Sequence, residues 1–257
     1  MIKNLTAVNQ PNIITILLFV LLPMFTASQN VVPVKKKTAY NWNLGINIGT
    51  AIPFIDISEP GLLPRPGQKP KSINPSTAVS LGLEFNPLFE VRGEALIAVL
   101  SDQSQSRNQY FTATSTEFNA IVLYNLMNHL FPASSIKRIQ FRVFGGSGLC
   151  FYHSGVYNML TDETLIERGG KKGFGISNKL IEGVIIAGFN IDFRLTGKIK
   201  LNLVSGQRWM NADNFDSVIS GFPFDSYNIT SLGIQIALKN ERPYPVVFKD
   251  YRTAAEK

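Results

Sequence analysis

The feature that most constrains the fold of this chain is an alternation of apolar and polar residues between Lys179 and Ser217. Residues 180–190 form an apolar arm that contains glycine, residues 192–197 form a turn, and residues 198–203 alternate polar with aliphatic side chains. Period-two alternation predicts β-strands whose two faces meet different environments. We therefore interpret the segment as a β-hairpin that is followed by a polar loop.

The same alternation recurs along the chain and predicts eight strands. In the first strand Trp42 and Leu44 share one face, while Asn43 and Gly45 share the other. Most of the strands have about ten to thirteen residues, close to the roughly nine to eleven that a tilted membrane-spanning strand needs. Strands of soluble proteins average about five or six. The predicted strands are residues 40–51, 76–85, 88–100, 110–126, 138–152, 180–190, 198–203 and 227–239.

The connections between these strands alternate in length. They are long and polar after the first, third, fifth and seventh strands, and shorter after the second, fourth and sixth. Transmembrane barrels have an even number of strands, short periplasmic turns and long external loops. The sequence therefore predicts an all-β fold, an eight-stranded antiparallel up-and-down transmembrane β-barrel. Both termini would lie on the periplasmic side of a bacterial outer membrane.

The N-terminus has the layout of a secretory signal peptide. Lys3 supplies a basic region, residues 13–22 are apolar, and a zone of small residues ends at residue 29. The apolar run of about ten residues is too short to cross roughly 30 Å of hydrocarbon as a helix, which argues against the alternative of a retained anchor. The predicted organisation is a signal peptide at 1–29, the barrel at 30–239 and a polar periplasmic tail at 240–257.

Aromatic residues gather at the predicted strand ends, where transmembrane barrels carry interfacial girdles. Packing of these rings in a soluble core is the alternative interpretation. The periplasmic girdle would comprise Tyr40, Trp42, Phe85, Phe89, Tyr124 and Phe189. The external girdle would comprise Tyr110, Phe151, Trp209 and Tyr227.

Acidic and basic residues nearly balance on the polar faces of the strands. An eight-stranded barrel has an interior just wide enough to be filled by side chains, and an unpaired charge in that interior is costly. We therefore expect a closed lumen with paired ions rather than a solute pore. The predicted network comprises Glu84, Glu90, Arg92, Glu94, Glu117, Arg138, Arg142, Glu182, Lys198, Lys200 and Arg208.

Two sequence elements suggest a family resemblance. One is the glycine-rich strand at 141–148, Phe-Arg-Val-Phe-Gly-Gly-Ser-Gly, and the other is the Asp-Asn-Phe-Asp element at 213–216. With the intervening basic strand, they resemble the Bacteroidota-type outer-membrane β-barrel family, which includes OmpA-like and PorT-like barrels of eight strands. The resemblance covers Trp42 to Lys239 and implies fold and location. The polar C-terminal tail departs from the pattern, and with only about twenty residues after the last predicted strand we expect no OmpA-type peptidoglycan-binding domain.

Candidate chemistry is sparse in this sequence. His153 and Ser154 precede Glu163 and Glu167 in a set similar to that of lipid A deacylase barrels, but neighbours in a strand point to opposite faces. The glycines of 169–175 lack the spacing of a phosphate loop, and 213–216 lacks the spacing of an EF-hand. Cys150, the one cysteine, excludes a disulfide and is expected to pack inward. No metal or cofactor is predicted.

The sequence thus favours a non-enzymatic outer-membrane component with a structural, accessory or partner-docking role, including a PorT-like role in secretion. Its expected partners are outer-membrane lipid and proteins that dock on the external loops or the periplasmic tail. The formal net charge is +7, but bases mixed with acids in an exported chain do not favour nucleic acid. The alternatives are a soluble exported barrel with an apolar ligand inside and an outer-membrane lipid hydrolase that uses His153.

Overall fold

The computed structural model describes residues 41–54, 73–105, 107–130, 138–211, 215 and 225–238. Several predictions on the sequence lie outside these ranges: the signal peptide at 1–29, the girdle residue Tyr40, most of the 213–216 element and the tail at 240–257.

The described residues form nine β-strands and one short helix. Each strand is antiparallel to its neighbours in the sheet. The elements are β1 (Asn41–Phe54), β2 (Asn74–Glu84), β3 (Phe89–Ser104), β4 (Gln109–Asn125), α1 (Leu126–Leu130), β5 (Ile139–Asn158), β6 (Thr164–Arg168), β7 (Leu180–Arg194), β8 (Ile199–Met210) and β9 (Ser226–Ala237).

Eight of these strands close into a barrel. The strand order is β4-β3-β2-β1-β9-β8-β7-β5, and a further pairing of β4 with β5 joins the two ends. The remaining strand, β6, pairs only with the last residues of β5, beyond the stretch of β5 that pairs with β7. Closure leaves the eight barrel strands without a free edge, so their backbone groups are paired within the sheet. The predicted eight-stranded antiparallel up-and-down barrel is confirmed.

The two faces of the barrel have opposite polarity. Leu44, Leu81 and Ile234 are each 46% exposed on the outer face, whereas Arg92 and Arg142 are only 4% exposed inside. The alternative of a soluble barrel with aliphatic side chains inside is therefore wrong. We call the outward apolar residues the apolar belt: Trp42, Leu44, Ile46, Ile48, Val79, Leu81, Val91, Ile97, Phe118, Val122, Leu149, Ile181, Ile185, Phe189, Leu201, Leu232, Ile234 and Ile236.

Such a belt is unusual for a soluble monomer, which rarely exposes a contiguous apolar patch of more than a few hundred Å². Belt residues occur on all eight barrel strands, so the apolar surface encircles the molecule. Hydrocarbon is the environment that solvates an apolar surface of this kind, and closed barrels and helices are the structures that satisfy their backbone there. Within the described residues, no helix has the length and hydropathy of a membrane span.

The predicted strand bounds are wrong at several strand ends, and three of these differences change the loops and the turn that adjoin β5, β7 and β8. The segment 153–178, predicted as a loop, begins with six more residues of β5 and contains β6. β8 continues to Met210, seven residues beyond its predicted end. β7 continues to Arg194, so the turn begins at Leu195 rather than at Asp192. The short turn is held by Thr196, whose side-chain oxygen accepts a hydrogen bond from Ile199 N at 3.1 Å.

The helix α1 was not predicted by the sequence. It follows β4 directly, and the side chain of Asn125 accepts a hydrogen bond from Asn128 N at 3.0 Å, as an N-cap does. The side chain of Asn128 in turn donates to the carbonyl oxygen of Pro87 at 2.7 Å. These two contacts hold the helix against the β2–β3 turn, at the end of the barrel that the sequence predicts to be periplasmic. From that prediction we name this end the periplasmic end and the opposite end the external end.

An inward layer of aliphatic side chains around Phe144 depends on two glycines. A Cβ on Gly188 would lie 2.7 Å from Phe144 Cζ and would also meet the carbonyl oxygen of Ser205; a Cβ on Gly206 would lie 2.9 Å from Phe144 Cζ. The ring therefore covers both glycines on the neighbouring strands β7 and β8, an arrangement that stabilises glycine in sheets. The rest of this layer is Ile121, Leu123, Val184, Ile186 and Val204.

We expect Gly188→Ala to lower the free energy of unfolding by about 1–3 kcal/mol, because the added methyl group overpacks the Phe144 layer. Gly93→Ala is the matched control, since a Cβ there is 4.0 Å from its nearest neighbour, the carbonyl oxygen of Leu81. Urea unfolding of both variants from lipid vesicles measures the difference. Equal stabilities would show that Phe144 does not occupy the space above Gly188.

Candidate functional site

The lumen is the candidate site, and its periplasmic half is organised around Arg142 of β5. The guanidinium donates through Nη2 to Glu84 Oε1 at 2.7 Å and pairs through Nη1 with Glu90 Oε2. Its Nε lies 3.1 Å from Asp192 Oδ2, and Gln140 Oε1 accepts from Nη2 at 2.7 Å. One cation thus joins carboxylates from β2, β3 and β7 across the lumen.

Two further cations complete this group. Lys200 Nζ donates to Glu84 Oε1 at 3.2 Å, and Arg92 Nε donates to Glu90 Oε1 at 2.9 Å. Three carboxylates therefore face three cations, so the group is electrically balanced. Charge-assisted hydrogen bonds of this kind are about twice as strong as neutral ones. We call this set the Arg142 cluster: Glu84, Glu90, Arg92, Arg142, Asp192 and Lys200.

A second cluster lies nearer the external end of the lumen and is built on Arg208 of β8. Its Nε lies 3.1 Å from Glu117 Oε2 and its Nη2 lies 3.1 Å from Glu94 Oε1. Asn119 donates to both of these carboxylates, at 3.2 Å to Glu94 and 3.0 Å to Glu117. Tyr227 donates its hydroxyl hydrogen to Glu117 Oε1 at 2.5 Å. We call these five residues the Arg208 cluster.

Aromatic side chains fill the lumen above the Arg208 cluster. The ring of Phe215 lies 5.6 Å from Phe111, 4.9 Å from Tyr152 and 6.0 Å from Tyr227, measured between centroids. All four side chains are fully buried. They belong to an apolar group that also contains Leu96, Leu100 and Met210. Among the described residues, aromatic and aliphatic side chains therefore fill the external end of the lumen, and ion pairs occupy the part below it.

Eight members of the predicted network lie in the lumen and are buried. These are Glu84, Glu90, Arg92, Glu94, Glu117, Arg142, Lys200 and Arg208. The prediction is wrong for Arg138 and Lys198, which are exposed. Arg138 lies immediately before β5, and Lys198 lies in the β7–β8 turn, so neither side chain is enclosed by the barrel wall. Glu182 is half-buried at the external end of β7, next to Cys150 in register, and is in neither cluster.

Asp192 belongs to the Arg142 cluster but is absent from the predicted network, because the sequence placed it in a turn. It has the same parity along β7 as Asn190, and both side chains are buried in the lumen. Asn190 donates to Asp192 Oδ1 at 2.8 Å. Extending the alternation two residues past the predicted strand end would have found it. Cys150 is buried and faces the lumen, opposite Glu117 in register.

Among the described residues, the predicted girdle side chains face outward with one exception. Trp42, Phe85, Phe89, Tyr124 and Phe189 face outward at the periplasmic end, and Tyr110, Phe151 and Trp209 face outward at the external end. The Phe89 ring lies 5.0 Å from that of Tyr124, and the Tyr110 ring lies 5.0 Å from that of Tyr157. The assignment of Tyr227 is wrong, because its parity along β9 directs it inward, onto Glu117.

The external hairpin formed by β5 and β6 holds the predicted hydrolase residues. His153 Nδ1 donates to the carbonyl oxygen of Gly169 at 2.9 Å, and His153 Nε2 lies 3.3 Å from Glu167 Oε1. Ser154 is fully buried and pairs with Arg168 in register. Both imidazole nitrogens are therefore engaged away from the serine. In the described ranges, no group of three His, Cys, Asp or Glu side chains is arranged to hold a metal ion.

Comparisons with known proteins return structures but no sequence relatives. No family model matches the chain, and no curated protein matches it. Among solved structures, it is similar to Neisserial surface protein A (10% identity, TM-score 0.43, covering 77% of this chain and 98% of that one). It is also similar to Ail, the attachment invasion locus protein of Yersinia pestis (9%, TM-score 0.44, 77% and 98%). A third is the outer membrane protein OprG from Pseudomonas aeruginosa (10%, TM-score 0.38, 80% and 99%). At identities and TM-scores this low, the likenesses give no information on function.

We expect Arg142→Met to lower the free energy of unfolding by about 3–5 kcal/mol, because it leaves buried carboxylates without their shared cation. Arg138→Met on the same strand is the matched control and should change stability by less than about 0.5 kcal/mol, since that side chain is exposed. Urea unfolding from lipid vesicles measures both variants.

A double variant, Arg142→Met with Asp192→Asn, separates charge from packing. In Arg142→Met, Glu84 keeps Lys200 and Glu90 keeps Arg92, whereas Asp192 loses the cation that it contacts in the Arg142 cluster. The double variant should therefore recover part of the lost stability, because that buried carboxylate is neutralised. A double variant less stable than the single variant would show that Arg142 acts mainly by filling space.

Proposed function

We propose that this chain is an integral protein of a bacterial outer membrane, with its barrel embedded in the bilayer. The observation that carries the proposal is the reversed polarity of the two faces, with Leu44 and Ile234 outside and Arg92 and Arg142 inside. A barrel with an apolar outer band and a polar interior is matched to hydrocarbon. The outward aromatic rings at both ends of the belt support the same environment, since aromatic residues favour the membrane–water interface.

We further propose that the barrel does not transport solutes. Arg142 joins carboxylates of β2 and β7 on opposite sides of the lumen, and Arg208 reaches from β8 across the lumen to the carboxylates of β3 and β4. Phe215 packs against three other buried rings above them. Opening a path would require separating buried ion pairs, and each broken pair costs several kcal/mol, of the order of 3–5. The function supported best is therefore a structural or accessory one, exerted at the ends of the barrel.

The external hairpin is the surface on which we propose that a protein partner docks. It extends β5 beyond the barrel wall and exposes Leu160, Leu165 and Ile166. Apolar side chains at this position are outside the belt and are not needed for the barrel core. The periplasmic tail is the second docking segment, and a PorT-like role in secretion is the finer proposal, which rests on the family resemblance of the sequence.

We propose a non-enzymatic role rather than lipid hydrolysis. A histidine that activates a serine needs one ring nitrogen directed to that serine and the other held by an acid. In this chain one nitrogen of His153 contacts the carbonyl oxygen of Gly169 and the other faces Glu167. This arrangement is what a structural histidine at the base of a hairpin requires.

Membrane integration and closure are tested together in vesicles. The purified chain should require detergent, should float with lipid vesicles after reconstitution, and should leave the vesicles impermeable to a small trapped dye. The apolar belt predicts the first two results and the filled lumen predicts the third. Recovery of the chain in the soluble fraction after cell lysis would contradict the membrane location, and dye release would contradict the closed lumen.

Docking on the external hairpin is tested by site-specific photo-crosslinking in native membranes. A photo-reactive amino acid in place of Leu160 or Leu165 should give a discrete protein adduct. The same residue in place of Leu195, which is exposed in the β7–β8 turn at the other end of the barrel, is the matched control and should not give that adduct. The same adduct from Leu195, or none from Leu160 and Leu165, would contradict docking on the hairpin.

A further inference from the structure

The loop between β6 and β7, residues 169–179, folds back onto the outside of the barrel. Thr114 Oγ1 donates to the carbonyl oxygen of Gly173 at 2.8 Å, and Gly175 N donates to Thr116 Oγ1 at 3.1 Å. Thr114 and Thr116 lie on the outer face of β4, because Ser115 between them is fully buried in the lumen. The loop therefore crosses the outer face of β5 to reach β4.

The path of the loop is set by its own backbone. Gly169, Gly173 and Gly175 have φ angles of +82°, +88° and +117°, a conformation that other residues rarely adopt. Lys179 Nζ donates to the carbonyl oxygens of Lys171 and Gly173. The loop thus has internal hydrogen bonds as well as contacts with β4, so its position on the barrel wall is defined.

The part of the loop bound to β4 presents apolar side chains at the level of the external girdle. Thr116 pairs in register with Phe151, whose ring lies 6.1 Å from that of Phe118, at the external end of the apolar belt. Phe174 is 52% exposed and Ile176 is 57% exposed, in spite of lying against the wall. Their exposed apolar surface therefore lies near the external end of the apolar belt.

Basic side chains lie beside these apolar ones. Lys172 Nζ lies 5.3 Å from the centroid of the Tyr157 ring and 3.8 Å from Glu167 Oε1. Burial and the nearby charge of Lys171 lower the pKa of Lys179. Glu167 is the carboxylate that contacts this group, and its charge is shared with His153. The loop therefore combines exposed cations with exposed apolar side chains, which is the composition of segments that lie in a membrane interface.

We propose that the β6–β7 loop is a lipid-binding element. Phe174 and Ile176 insert at the boundary between headgroups and acyl chains, and Lys171 and Lys172 bind the phosphate-bearing headgroups of the outer leaflet. The inference rests on the membrane location proposed above. The inference adds a specific lipid site to the proposed membrane location. The loop binds lipid at one sector of the barrel, over β4 and β5, whereas the belt contacts lipid all around.

Depth-dependent fluorescence quenching tests the insertion. Phe174→Trp is made in a background with Trp42→Phe and Trp209→Phe, which removes both native tryptophans. After reconstitution with brominated lipids, the introduced indole should be quenched most strongly by bromines near the headgroups and should resist aqueous iodide. Leu160→Trp in the same background is the matched control. It lies in the β5–β6 turn, 82% exposed, and should be quenched by iodide and not by bromine.

The unaltered chain separates failure of this proposal from failure of the membrane location. If Trp42 and Trp209 are quenched by brominated lipids but the indole of Phe174→Trp is quenched only by iodide, the loop proposal is overturned while the barrel remains in the bilayer. If none of these tryptophans is quenched by lipid, both proposals are overturned.

A second arm tests the headgroup contact without altering the apolar residues. Lys171→Gln and Lys172→Gln should each reduce the preference for phosphatidylglycerol over phosphatidylcholine among lipids retained by the barrel, by up to about fivefold per lysine at low salt. Lys198→Gln, which removes an exposed lysine at the other end of the barrel, should leave the preference unchanged. Equal preferences in all three variants would overturn the role of the lysines.

Discussion

The structure depends on the pairing of charges within a space that excludes bulk water. An eight-stranded barrel leaves a lumen about wide enough for side chains alone, so an ionised group inside it has other side chains in place of solvent. Arg142 meets this constraint by contacting Glu84, Glu90 and Asp192 at once, and Arg208 does so with Glu94 and Glu117. Replacing such a network by apolar residues is often neutral or stabilising in soluble proteins. In a barrel with an apolar outer face, however, an apolar lumen would make the two faces of each strand alike. The pairing register between strands would then be less well defined, because a shift by one residue would no longer exchange polar for apolar side chains.

The same constraint explains the outer surface. Because a strand places successive side chains on opposite faces, every polar residue used in the lumen has apolar neighbours that point outward. Ile46 and Ile48 are exposed beside buried Asn47 for this reason. Such a surface is unfavourable in water and favourable in hydrocarbon, and closure of the sheet satisfies the backbone there. The ion-paired lumen and the exposed apolar outer face are thus two consequences of one alternating pattern.

The sequence predicted well whether a side chain points into the lumen or outward. It predicted less well where along the barrel axis that side chain lies. Period-two parity placed Arg92, Glu117 and Lys200 in the lumen, and these are buried. The alternation does not show where along a strand the barrel wall ends. Arg138 and Lys198 were predicted inside the lumen, but both lie beyond the end of the wall. Tyr227 was assigned to a girdle from its position near a strand end, but its parity decides its direction. The partners of Arg142 come from three other strands, so their identity depends on register between strands, which a single sequence does not contain.

The external features depended on contacts that are still more distant in sequence. The segment 153–179 has no sustained alternation, and its structure comes from β5 being held by β4 as far as Asn158, so that β6 has an edge on which to pair. The position of the β6–β7 loop likewise depends on Thr114 and Thr116, about sixty residues earlier in the chain. If a lumen closed by ion pairs and aromatic rings passes no solute, as we propose, the activity of the barrel lies in what its ends and its outer wall contact. The hairpin and the loop are where this chain departs from a plain barrel, and they are therefore the surfaces on which its function should be sought.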